Sequence, residues 1–240
     1  MEGLPDRSRE EERRMAYAIR NTVVVRPPRQ MLATFGATSV KYYLVTEPAY
    51  REIEPQAQDD VVIREGVVKA ERPRVVTPHY LMQHEGFGDH AREYLRRLAG
   101  ERGSDTPGLL YAYKNEDMHT NIASGGMRQV TGHLRQLLDR EGRGLEAVIQ
   151  GIDELWDVSL MKFIFDLTSA SVRSNVAEMN ARGLLDMEDG APRDARERIE
   201  HLLAEAGQGN ADPSDAHREL ERWGLFDQYQ DRFLSIFKKR

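Results

Sequence analysis

Up to about Asn121 the chain alternates short β-branched and aromatic runs with Gly and Pro. Beyond that point apolar residues recur at helical spacing. The first texture suits strands and the second amphipathic helices. Together they predict an α+β fold: an N-terminal small mixed or antiparallel sheet with one or two helices, and a bundle-like helical C-terminal half. On this reading residues 1–21 are a charged arm, 22–121 a β-rich region and 122–240 a helical region, the last two either separate or one continuous domain.

Within the front half, 22–26 reads as a strand stopped by Pro27 and Pro28, because proline donates no ladder hydrogen bond. Met31–Phe35 and Val40–Thr46 read as further strands, the second apolar on both faces and so covered on both sides. Val61–Arg64 and Val67–Glu71 predict a hairpin turning at Glu65 and Gly66, with Gly66 at positive φ. Met15, Tyr17 and Ile19 are the residues through which the arm would dock. His79–Met82 starts a helical turn, Asp89 caps a helix to about Arg102, and Leu109–Lys114 is another strand.

In the back half Met127, Val130, Leu134, Leu137 and Leu138 share one helical face. Leu155–Leu167 is apolar nearly all round, which predicts a helix at the centre of the core. A helix from Val172 to Gly183 follows, then one carrying Ile199, Leu202 and Leu203. After a linker at 207–214, Ala216–Trp223 and Phe226–Phe237 form a helical hairpin around Gly224.

Composition narrows the chemistry. There are no cysteines among 240 residues, so disulfides, thiolate metal sites and cysteine nucleophiles are excluded. No apolar run reaches the length of a secretion signal or a bilayer span, which predicts a soluble, cytoplasmic protein without a membrane partner. The net charge of −6 is unevenly placed. Residues 1–114 carry 18 Lys and Arg against 17 Asp and Glu, whereas 115–240 carry 16 against 23. That balance disfavours nucleic acid as a partner and makes the front half the better place to meet an anion.

Four groups of residues carry possible chemistry. His84, Asp89 and His90, with His79 and Glu85 nearby, are the residue types of a catalytic or metal site. Their spacing matches no metal motif, and no metal or cofactor is assigned. Ser124, Gly125 and Gly126 open a helix whose dipole favours an anion, with Lys114 and Arg128 as added charge. Arg26, Arg29, Lys69, Arg72 and Arg74 accompany Tyr42, Tyr43, Tyr111 and Tyr113, a basic and aromatic set suited to stacking bases. Lastly, residues 160–186 read as a helix, a Ser-rich turn at 169–171 and a second helix opening on Arg173, Ser174 and Asn175. This stretch resembles part of the winged helix-turn-helix family, which implies that those three residues face a major groove. The leading expectation is a non-enzymatic binding or regulatory module for a protein partner or a small anionic ligand. The alternatives are a small hydrolase acting on a phosphorylated or nucleotide-like substrate, and a nucleic-acid-binding regulator.

Overall fold

The computed structural model describes residues 4–48, 60–83, 93, 96–97, 99–101 and 103–238. In chain order its elements are α1 (Leu4–Asn21), β1 (Val23–Arg26), β2 (Thr38–Glu47), β3 (Asp60–Ala70), β4 (Arg74–Val76), α2 (Pro78–Met82) and β5 (Gly108–Leu110). There follow β6 (Tyr113–Asn115), β7 (His119–Ser124), α3 (Met127–Arg140), β8 (Glu146–Ile152) and α4 (Trp156–Ala181). The chain ends with β9 (Met187–Glu188), β10 (Ala191–Pro192), α5 (Arg193–Gln208), α6 (Pro213–Trp223) and α7 (Phe226–Lys238). The fold is α+β, with a mixed sheet drawn mainly from the N-terminal half and helices dominating the C-terminal half.

The described chain divides into two compact units. One is built from Met1–Arg72 with Tyr111–Arg173, the other from Pro73–Leu110 with Ser174–Arg240. The sheet of the first unit runs β1-β8-β2-β3, and both β6 and β7 pair with the outer side of β3. Only β2 and β8 are parallel; the other pairs are antiparallel. Val40, Tyr42 and Leu44 of β2 join Ala147 and Ile149 of β8 and Leu160, Phe163 and Ile164 of α4 in one buried cluster. Val45 and Val148, on the alternate face, are also fully buried. The reading of β2 as a strand covered on both sides therefore holds.

Several expectations change. β3 is one continuous strand, not a hairpin, and pairs with β2 from Thr38↔Ala70 through Thr46↔Val62. Gly66 has no positive φ. It lies opposite Tyr42, and a methyl group there would sit 2.5 Å from the tyrosine Oη. The glycine makes room for a buried ring and does not turn the chain. Met31–Phe35 forms no strand; Leu32 and Ala33 instead donate their amides to the hydroxyls of Ser171 and Thr38. Leu109–Lys114 divides between β5, which pairs with β4, and β6, which pairs with β3. α1 docks through Ala18, which is fully buried, while Met15, Tyr17 and Ile19 are exposed.

Helix α4 includes the segment expected to be apolar all round, but its apolar residues divide into two rows. Leu160, Phe163 and Ile164 are buried, and Met161 and Phe165 face solvent. α4 also runs without a break through the predicted Ser-rich turn. The hydroxyls of Thr168 and Ser171 donate to the carbonyls of Ile164 and Leu167, four residues back, so they are satisfied inside the helix and do not end it.

In the second unit α5, α6 and α7 enclose a core of Ile199, Leu203, Ala216, Leu220, Trp223, Leu225 and Phe233, joined by Val76 and Tyr80. Gly224, in the left-handed region, closes α6 and permits the turn into α7, as the sequence predicts.

Candidate anion-binding pocket

Among the described residues, those expected to form sites do not come together. His84, Asp89 and His90 lie outside the described residues. Ser124 ends β7 opposite Asp60, and Gly126, not Ser124, occupies the cap position of α3, with no side-chain capping bond. Lys114 pairs with Lys69, nine positions along β3 from Asp60. At about 3.3 Å per residue this is roughly 30 Å, so Lys114 and the start of α3 do not meet. Arg128 is exposed. The cavity beside Met127, about 400 Å³ at the carboxyl ends of β2 and β8, is lined by Glu47, Asp153 and Glu154 and by no Lys or Arg among the described residues. Its charge opposes an anion. Arg173, Ser174 and Asn175 lie deep within α4, where Asn175 is fully buried, so they do not open a recognition helix.

A different group of residues converges in the second unit. Arg74 from β4, Arg198 and Leu202 from α5, and Asp215, Arg218, Glu219 and Arg222 from α6 line a cavity of about 360 Å³. The spacing explains the convergence. Positions 198 and 202 are one helical turn apart, and 215, 218, 219 and 222 follow the i, i+3, i+4, i+7 rule that aligns side chains on one helix face.

The floor of the pocket is a buried polar network. Arg198 donates through Nε to Glu219 Oε1 at 3.1 Å, adds a second bond through Nη2, and reaches Asp194 Oδ2 through Nη1 at 3.3 Å. Glu219 also accepts from Tyr80 Oη at 3.1 Å and Trp223 Nε1 at 3.3 Å. Asp194, with no solvent exposure, accepts the Val75 amide at 2.9 Å. Burial pushes the Glu219 carboxyl up, but the charge and hydrogen bonds of Arg198, with those of Trp223 and Tyr80, outweigh it and hold the group below its ordinary value. Burial, reinforced by the charge of Glu219, raises the Tyr80 phenol.

Arg198 is thus fixed in place by two carboxylates, as a buried guanidinium must be. At the rim, Arg218 pairs with Asp215, and Arg222 lies 4.0 Å from Glu219 Oε2. Among the described lining residues four guanidinium groups outnumber two carboxylates, and counting Asp194 behind Arg198 leaves the balance positive. The arrangement can hold an oxyanion by charge-assisted, forked hydrogen bonds. Of these residues, the sequence reading picked out only Arg74 for its charge. The helical rows are present in the sequence as R-x-x-x-L and D-x-x-R-E-x-x-R, beside stronger apolar stripes on the same helices.

No protein-family model, curated protein or solved structure matches this chain.

Proposed function

We propose that the protein is a non-enzymatic binding module that captures a small phosphate-type oxyanion in the pocket formed by β4, α5 and α6. The observation that carries this reading is the convergence of Arg74, Arg198, Arg218 and Arg222 on one cavity, with Arg198 anchored from behind. A pre-positioned guanidinium loses little conformational freedom when a ligand arrives, which favours binding. Asp215 and Glu219 are engaged in ion pairs with arginines, which suits them to hold the cations in place more than to transfer protons. The acidic surplus of the C-terminal half does not oppose this, because exposed charges beyond about 8 Å are screened at physiological salt. A cytoplasmic setting belongs to the same reading, supported by the absence of cysteine.

The test is thermal stability in inorganic phosphate against chloride at matched ionic strength. Phosphate at 100 times its dissociation constant adds about 2.7 kcal/mol of stability. The shift should disappear in Arg74→Gln/Arg222→Gln, which leaves the Arg198 anchor intact. No phosphate-specific shift in the natural chain, or an equal shift in the double variant, overturns the proposal.

A further inference from the structure

Helix α4 has a second apolar row that its own unit leaves bare. Phe165 is 70% exposed and Met161 64%, with Val172 at 37%. At 100° per residue these three and the exposed Ser169 fall on one strip of the helix, turned away from the buried row of Leu160, Phe163 and Ile164. A phenylalanine and a methionine neighbouring each other at i, i+4 on an exposed helix form an apolar patch of the kind that marks an interaction surface.

The charges beside this strip indicate what covers it. Lys162, Asp166 and Arg173 lie on the same flank, and Lys162 pairs with Asp166 at 2.7 Å. When two copies of one helix pack antiparallel about a two-fold axis, each flank meets its own counterpart; in a parallel pair it meets the opposite flank. An antiparallel axis near Thr168 and Ser169 brings Asp166 of each copy within two residue positions of Arg173 of the other. That offset is about 3 Å along the helix, within reach of an arginine side chain. The same axis sets the Phe165 ring of each copy over the small Ser169 and beside Val172 of the other. Phe165 and Val172 stand at nearly equal distances on either side of the axis, so one placement satisfies both the apolar row and the charges.

We propose that this face of α4 is a self-association surface, on which a second copy of the chain packs antiparallel about a two-fold axis near Ser169. One helix strip buries less than the roughly 1,200 Å² of a standard interface, so the dimer is reversible and depends on concentration. This proposal does not depend on the arginine pocket.

The experiment uses the full chain, whose lack of cysteine makes single-cysteine variants unambiguous. Sedimentation over a concentration series should show a monomer–dimer equilibrium that Phe165→Glu and Val172→Glu each shift to monomer, with circular dichroism unchanged. Under mild oxidation Ser169→Cys should form a disulfide-linked dimer, because near the axis the two Cα atoms fall within the 4.4–6.8 Å range that a disulfide bridges. Met161→Cys, about eight residues from the axis, should not. A natural chain that stays monomeric while Ser169→Cys remains uncrosslinked overturns the proposal. So does a dimer insensitive to both glutamate variants, and so does Met161→Cys crosslinking as readily as Ser169→Cys.

Discussion

Replacing Arg198 with Met keeps most of the side chain's length and removes its charge. Arg198 pairs with both Asp194 and Glu219, and its side chain is 13% exposed against 0% and 6% for the two carboxylates. Removing one partner of a buried pair typically costs about 3–5 kcal/mol, because the remaining charge is left uncompensated in a poorly polarisable interior. Two carboxylates lose this guanidinium here, though Glu219 keeps bonds from Tyr80 and Trp223 and the more distant Arg222, and Asp194 keeps the Val75 amide. A cost within that range is therefore expected near pH 7. The penalty should also depend on pH. With Arg198 present, the Glu219 carboxyl lies below its ordinary value. That depressed value contributes stability above the unfolded-state pKa of about 4.3, and the contribution fades as pH falls through the folded-state value. With Met at 198 the carboxyl is no longer held down and takes up a proton more readily. The difference between variant and natural chain should then shrink between neutral pH and about pH 4. Urea denaturation of both proteins across this range measures it. A cost under 1 kcal/mol at neutral pH, or one that does not change on acidification, refutes the account of the network.

Other outcomes follow from the same structure. Gly66→Ala should destabilise by about 1–3 kcal/mol through overpacking against Tyr42. The cost should fall in a Tyr42→Leu background that removes both the Oη 2.5 Å and the Cζ 2.8 Å away, and a denaturation cycle with additive costs would count against the contact. Phe163→Ala should cost about 3–5 kcal/mol and Phe165→Ala far less, since one is buried and the other exposed on the same helix; equal losses in a thermal melt would contradict the two rows. Burial raises the phenols of Tyr42, Tyr80, Tyr111 and Tyr113, with Tyr111 pushed up to about 12. A raised value stabilises below the unfolded pKa of about 10 and the benefit is lost as pH rises through the folded value. Ultraviolet titration should accordingly show late phenol ionisation accompanied by loss of structure.

Helices with an apolar stripe were legible in the sequence, as were the glycines that follow α4 and α6, Gly183 and Gly224, whereas α5 continues through Gly207 and stops at Gly209. Gly224 at the turn between α6 and α7 was read correctly because its environment is local. β8 was not. Its residues, Glu146–Ile152, form a short apolar run whose partners Lys41–Glu47 and Val23–Arg26 lie more than a hundred residues away. Nothing nearby distinguishes such a run from part of a helix. Its buried Glu146 further disguises it, yet that residue accepts from Tyr43 Oη at 3.1 Å. Gly66 failed for a related reason. A Gly between two Val-rich runs has the signature of a tight turn, and only the Tyr42 ring on the neighbouring strand shows that it is a clearance. The pocket was hidden because α5 and α6 each display a charged row beside a stronger apolar one, and only packing brings Arg198 and Glu219 together.

The place of β8 between β1 and β2 has a consequence for how the protein is made. A chain leaving the ribosome exposes β1, β2 and β3 long before the strand that must be inserted among them exists. Until residue 152 has emerged, the inner edges of β1 and β2 offer unpaired amides and carbonyls to any extended chain nearby. Both units are also assembled from two separated stretches, so neither follows the simple order in which the first-made domain folds first. Nascent chains arrested before β8 should bind holdase chaperones and resist protease poorly, and chains extended far enough to clear β8 from the exit tunnel should leave that vulnerable interval behind.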